Sequence, residues 1–123
     1  MAARIKVLIV EDDNAMAQMC AKLIRRRGHS AVIARSSQDA LALVRGAGDI
    51  DVVISDVQMP QLGGIQLLSR LRAIDESLPV ILMTGCGDLV SRDQMLQMGA
   101  TDYIMKPFDP DVLVASLERA TVG

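Results

Sequence analysis

Five short apolar runs, each closing on polar or charged residues and each followed by a segment of helical periodicity, constrain this chain more than any other feature. The runs are Lys6–Val10, Ala31–Ala34, Asp51–Ser55, Pro79–Met83 and Thr101–Met105. Runs this short and this apolar read as strands buried on both faces. After the first, Met16, Met19, Cys20 and Leu23 recur at helical spacing and Gly28 stops the pattern, which predicts a helix of about 14 residues with Met16 and Met19 in the core. Ser36 with Asp39 makes a capping-box-like start for a second helix through Ala40, Leu41 and Val44, ended by Gly46 and Gly48. Gly63-Gly64 turns the chain into a third helix carrying Ile65, Leu68, Leu71 and Arg72. Asp88 is the expected N-cap of a fourth helix that ends at Gly99. Asp109-Pro110 opens a fifth that runs to about Ala120. Strand then helix, five times over, is the pattern of an α/β domain: one parallel sheet, doubly wound, with helices on both faces. Right-handed crossovers bring all five carboxyl strand ends to one rim.

The chain has 123 residues, half of them apolar, and is expected to form a single domain over residues 1–123 with no internal linker. Its rings are few, Tyr103 and Phe108, so the core is built from Val, Ile, Leu, Met and Ala. The net charge of −2 gives no basic surplus, which argues against direct nucleic-acid binding. The run Arg25-Arg26-Arg27 reads as the last turn of a helix, where cations complement the carbonyl end. Cys20 and Cys86 lie far apart with no CxxC spacing, which argues against a structural zinc or a disulfide framework and fits a reducing compartment. No run is long enough to span a membrane and the amino terminus lacks a signal-peptide pattern, so a cytoplasmic location is expected.

The rim is where chemistry concentrates. The first strand ends in Glu11 and Asp12, the third in Asp56, the fourth in Thr84 and the fifth in Lys106. At the switch point the first and third strands are neighbours, so three carboxylates converge. Two like charges about 4 Å apart repel by about 4 kcal/mol at an effective dielectric near 20. A hard divalent cation relieves this, and an all-oxygen site with open positions suits Mg²⁺, which keeps waters and adds phosphate oxygens readily. With Lys106 present the formal charges then cancel. A carboxylate beside a metal, a lysine and a hydroxyl is a nucleophile for phosphoryl transfer. No P-loop or GxGxxG accompanies it, so a nucleotide is not the evident donor.

Four segments in order carry a resemblance: Ile9-Val10-Glu11-Asp12-Asp13, Ser55-Asp56-Val57-Gln58-Met59-Pro60, Met83-Thr84-Gly85, and Gly99-Ala100-Thr101-Asp102-Tyr103 leading to Lys106-Pro107-Phe108. Over essentially its whole length the chain resembles a response-regulator receiver domain of the chemotaxis-regulator type. That resemblance implies a flavodoxin-like sheet of order 2-1-3-4-5, a common order among doubly wound α/β folds. It implies a phosphorelay role: Asp56 accepts a phosphoryl group from a phosphohistidine on a sensor histidine kinase or histidine phosphotransfer protein. It implies Mg²⁺, with Mn²⁺ as an alternative, held by Glu11, Asp12, Asp56 and the backbone carbonyl of Gln58, Asp12 being favoured over Glu11 as the direct ligand of the acidic pair. Thr84 and Lys106 match the switch hydroxyl and the phosphate-binding lysine, and Tyr103 matches the switch aromatic. The Lys106-Pro107 bond is expected to be cis, a geometry largely confined to X-Pro. Such a protein is a switch rather than an enzyme, catalysing only its own phosphorylation and dephosphorylation. When Thr84 moves toward the phosphoryl group, Tyr103 rotates inward and the face of helix 4, strand 5 and helix 5 changes shape for an output domain or partner, or for a second copy on activation. Gln58 and Cys86, two residues beyond Asp56 and Thr84, match positions that set the rate of phosphoryl loss, and slow-to-moderate self-dephosphorylation is expected.

Asp13 reads as a helix cap, and His29, after the first helix, as a surface residue away from the rim. Three other functions share parts of the pattern. A flavin-binding electron carrier needs a Ser/Thr-rich first loop and aromatics, and this loop is acidic. A Mg²⁺-dependent phosphatase with an aspartyl-phosphate intermediate is expected to carry Asp-x-Asp, whereas Val57-Gln58 follows Asp56. A phosphorylation-independent interaction module has no need of so complete a site.

Overall fold

Each strand–helix unit read from the sequence forms in the computed structural model, which describes residues 4–47, 49–59, 62–85 and 91–121. The elements run β1 (Lys6–Val10), α1 (Asn14–Arg26), β2 (Ser30–Ala34), α2 (Ser37–Ala47), β3 (Val52–Asp56), α3 (Gly64–Ile74), β4 (Val80–Thr84), α4 (Arg92–Gln97), β5 (Asp102–Met105) and α5 (Pro110–Thr121). All pairings are parallel, and the sheet order is β2-β1-β3-β4-β5.

Successive strand residues point to opposite faces, and the two cores follow that alternation. Leu8, Val10, Val53, Val80 and Leu82 face α2, α3 and Met95 of α4, with Tyr103 packed at the margin. Val7, Ile9, Val52, Ile54, Ile81, Met83 and Ile104 face α1 and α5, where Cys20, Ala21, Ile24, Leu113 and Leu117 meet them. Fully burying each large aliphatic side chain contributes about 1.5–3 kcal/mol, and β3 and β4 are buried throughout. These two central strands therefore form a firm base for what projects from their carboxyl ends.

Local chemistry sets the boundaries. Asp13 caps α1 by accepting from the Met16 amide at 3.2 Å, as its position suggested. Arg25 and Arg26 do occupy the last turn of α1, and Gly28 takes φ +85°, a left-handed turn that suits glycine. Met19 departs from expectation: it is 41% exposed. The buried stripe of α1 is Ala17, Cys20, Ala21 and Ile24, small residues that let the helix lie close on the sheet. Met16 and Leu23 only flank the stripe, half-buried, and Met19 falls outside it.

α2 continues through Gly46 to Ala47 rather than stopping there, and Gly48 lies outside the described residues. The Asp39 amide donates to Ser36 Oγ at 3.1 Å. The fourth helix starts at Arg92, with Ser91 and Gln94 forming a capping box; Asp88, Cys86 and Gly87 lie outside the described residues. Gly99 has φ +106° after α4. Before α5, Asp109 Oδ1 accepts from the Asp111 amide at 3.1 Å. The Lys106-Pro107 bond is cis. His29 is half-buried at the amino end of β1, where its Nδ1 accepts from the Ile5 amide at 3.1 Å, on the edge opposite the carboxylates. Among the described residues no helix is long and apolar enough to cross a membrane.

Candidate functional site

Register explains why distant acids meet. Val10 lies beside Ser55 across β1 and β3, so the next residues, Glu11 and Asp56, emerge side by side. Asp56 lies beside Met83 and Thr84 beside Met105, which brings Lys106 to the same rim. Parity then selects the face. Glu11 follows Ile9, Asp56 follows Ile54 and Lys106 follows Ile104 at spacing two, all on the α1/α5 side of the sheet. Thr84, two after Leu82, falls on the other side, as does Tyr103, the register partner of Leu82. Thr84 and Tyr103 are thus on one face, one strand repeat apart.

Carboxylate oxygens of Glu11, Asp12 and Asp56 lie within 4.8 Å of one another. Asp12 is exposed, whereas Glu11 and Asp56 are buried. Lys106 Nζ sits 3.2 Å from Asp56 Oδ2 and 3.5 Å from Glu11 Oε2. The second contact lacks hydrogen-bond geometry, so among the described residues Glu11 Oε2 is a buried oxygen with no hydrogen-bond partner. Asp56 Oδ1 accepts from the Gln58 amide at 3.3 Å. Thr84 is buried, and its carbonyl accepts from the Lys106 amide at 2.6 Å, tying β4 to β5 at the site.

The electrostatics follow from this crowding. Burial, and after it the Asp56 charge, push the Glu11 carboxyl up to about 7 against the pull of Lys106. For Lys106 burial acts downward, but Asp56 and Glu11 outweigh it and the ammonium is held above its ordinary value. Cys20 lies beneath the same cluster: burial first, then Glu11, push its thiol up to about 11.

Some of the supporting residues had no signal in the sequence. A Cβ on Gly64 would sit 2.2 Å from the Asp56 carbonyl oxygen, so α3 can begin where it does only with glycine there. Ser55 Oγ donates to that same carbonyl at 3.0 Å, and Ser37 Oγ donates to the Leu62 carbonyl at 2.8 Å from α2. The Gly-Gly pair was readable as a turn, but its closeness to Asp56 depends on how α3 packs.

The model of the response regulator receiver domain matches residues 7–118. The chain belongs to the response regulator receiver domain family. It is 35% identical over 117 residues to the transcriptional regulatory protein ZraR of Salmonella typhimurium, covering 95% of this chain and 26% of that one. It is 39% identical over 119 residues to the response regulator protein FleR of Pseudomonas aeruginosa, covering 96% of this chain and 25% of that one. This receiver domain thus spans about a quarter of these relatives' length, and rather more, 55%, of the transcriptional regulatory protein FixJ of Bradyrhizobium diazoefficiens. Among solved structures, a receiver domain protein from Clostridium thermocellum superposes with a TM-score of 0.89 at 30% identity, covering 95% of this chain and 94% of that one. The receiver domain of the Francisella response regulator 1452 does so at 0.88 and 30%, covering 96% and 97%. Receiver domains are regulatory switches of two-component systems rather than ordinary enzymes.

Proposed function

We propose that this receiver domain is a Mg²⁺-dependent phosphoryl acceptor whose acceptor is Asp56. The observation that carries this reading is the trio Glu11, Asp12 and Asp56 within 4.8 Å, closed by Lys106 at 3.2 Å from Asp56. A hard divalent cation fits the donor set: oxygen ligands, an excess of negative charge, and a buried Glu11 oxygen that has no hydrogen-bond partner among the described residues. Asp12, Asp56 and the Gln58 carbonyl would hold it, with Glu11 behind them, and Mn²⁺ would serve in place of Mg²⁺. When bound, the ion neutralises charge on the transferring phosphoryl oxygens.

This chain's own residues do the rest. An Asp56 carboxylate oxygen attacks phosphorus as the P–N bond to a donor imidazole breaks, and the imidazole nitrogen keeps the electron pair. Lys106, held above its ordinary pKa, stays cationic and pairs with the phosphoryl oxygens as it now pairs with Asp56. The Thr84 hydroxyl donates to one of those oxygens. Thr84 and Tyr103 share a sheet face, so a shift of Thr84 toward the phosphoryl group opens room for the Tyr103 ring, and the α4-β5-α5 surface becomes the readout. The donor is a sensor histidine kinase or a histidine phosphotransfer protein. The readout controls an output domain or a separate partner in the cytoplasm, or pairs two copies on activation. Gln58 and Cys86 set a slow-to-moderate rate of phosphoryl loss.

The test is incubation with Mg²⁺ and a small acyl phosphate, followed by intact mass. One phosphoryl group is expected on the wild type and none on Asp56→Asn or in the presence of a chelator. Incorporation that survives Asp56→Asn would reject Asp56 as the acceptor.

A further inference from the structure

The loop between Asp56 and Gly64 carries the Gln58 carbonyl, and hydrogen bonds hold its described residues on the two sides. At its near end the Val57 amide donates to the Met83 carbonyl and the Gly64 amide closes back on the Val57 carbonyl, each at 2.9 Å. The Gln58 amide leans on Asp56 Oδ1 at 3.3 Å. Its far limb is tied from another part of the fold: Ser37, the first residue of α2 and 1% exposed, donates its hydroxyl to the Leu62 carbonyl at 2.8 Å. A buried hydroxyl aimed at a loop carbonyl 25 residues away is a tether between two elements that the strand ladder does not join.

We propose that Ser37 is a positioning residue for the divalent-cation site. It acts through Leu62 on the loop that presents Gln58, and the inference rests on the metal-dependent reading above. A ligand carried on a loop binds well only if the loop is already in place, because ordering it on binding subtracts from affinity. Without the Ser37 hydroxyl the Leu62 carbonyl loses a partner, the far limb gains freedom, and the Gln58 carbonyl is no longer pre-positioned. Groups that orient metal ligands directly change affinity by about 10- to 100-fold when removed. Ser37 stands one step further back, so a change of roughly three- to tenfold is expected.

Amide NMR shifts of Gln58, Asp56 and Gly64, followed during Mg²⁺ titration of the unphosphorylated protein, report the half-saturating concentration. Ser37→Ala is expected to raise it roughly three- to tenfold while the spectrum stays that of a folded protein, because Ala is a good helix former and smaller than Ser. Ser37→Thr keeps the hydroxyl and is expected to stay near wild type. Ser77→Ala removes a hydroxyl bonded to Asp75 before β4, far from the rim, and is expected to leave the Mg²⁺ midpoint unchanged. A Ser37→Ala midpoint within twofold of wild type overturns the proposal, as does an equal shift in Ser37→Thr. A wild type with no Mg²⁺ response brings down the metal reading itself and this inference with it, whereas a responsive wild type with an indifferent Ser37→Ala overturns Ser37 alone.

Discussion

The sharpest consequence of the site is that the metal-free protein loses stability as pH rises from acid to neutral. Glu11 ionises near 4.5 when unfolded, and burial together with Asp56 raises it to about 7 in the fold. Between those values the folded state holds a proton that the unfolded state has released. Stability from this group is therefore complete below pH 4.5 and is lost as pH climbs through 7. At about 1.4 kcal/mol per pH unit the loss approaches about 3 kcal/mol. For a chain of this size that is a fall in melting temperature of about 10 °C. Lys106 contributes no slope in this window, because its pKa is shifted upward from an already high value. Asp75 and Asp102 contribute none either, because their shifts are downward and act below the ordinary carboxylate range.

Thermal melts in chelator from pH 5 to 8 should show the decline, and Glu11→Gln should flatten it and melt higher than wild type at pH 8. Mg²⁺ should restore the wild type, more strongly at pH 8 than at pH 5, because the ligands must be deprotonated to bind. A flat wild-type profile, or an equal slope in Glu11→Gln, would refute the reasoning that buried like charges are held together here awaiting a cation.

Four further outcomes follow from local geometry. Gly64→Ala forces a Cβ against the Asp56 carbonyl, where a backbone atom must move; it should cost about 1–3 kcal/mol by chemical denaturation and slow phosphorylation by an acyl phosphate. Gly46→Ala, helical with open space around it, should instead stabilise by about 0.5–1 kcal/mol, and equal effects at the two sites would contradict the packing described. Arg72 donates to the carbonyls of Gly99, Leu78 and Asp75 at 2.9, 2.6 and 3.2 Å. Arg72→Met keeps the stem over Gly99 but strands those acceptors, and a urea midpoint implying a loss of about 1–3 kcal/mol is expected. Cys20, with its thiol pushed up to about 11, should be alkylated at pH 8 about a hundredfold more slowly in the native Cys86→Ser variant than in denaturant; a native rate within tenfold of the denatured one would place the thiol outside the core.

What the sequence made legible was the chemistry of strand ends. Short apolar runs alternating with helical segments point to one parallel sheet covered by helices, although only β3 and β4 are buried throughout and the edge strands β2 and β5 are largely half-buried. Once the strands are parallel, Glu11, Asp56 and Lys106 must share a rim, and their two-residue offset from Ile9, Ile54 and Ile104 puts them on one face. What stayed hidden depends on how elements pack. Size misled at α1, where the apolar Met19 stays in water because Ala17 and Ala21 are the residues small enough to seat the helix. Gly46 is an ordinary helical residue, since glycine weakens a helix without ending it when packing continues. Gly64 and Ser37 act on the Asp56 loop through a clearance and a single hydrogen bond, and neither leaves a periodic mark. The acids are therefore written into the chain as residue types at strand ends, while the stiffness that keeps them in place is written into contacts that only folding creates. A change at Ser37 or Gly64 can thus impair the site with every residue that the sequence pattern identifies still present.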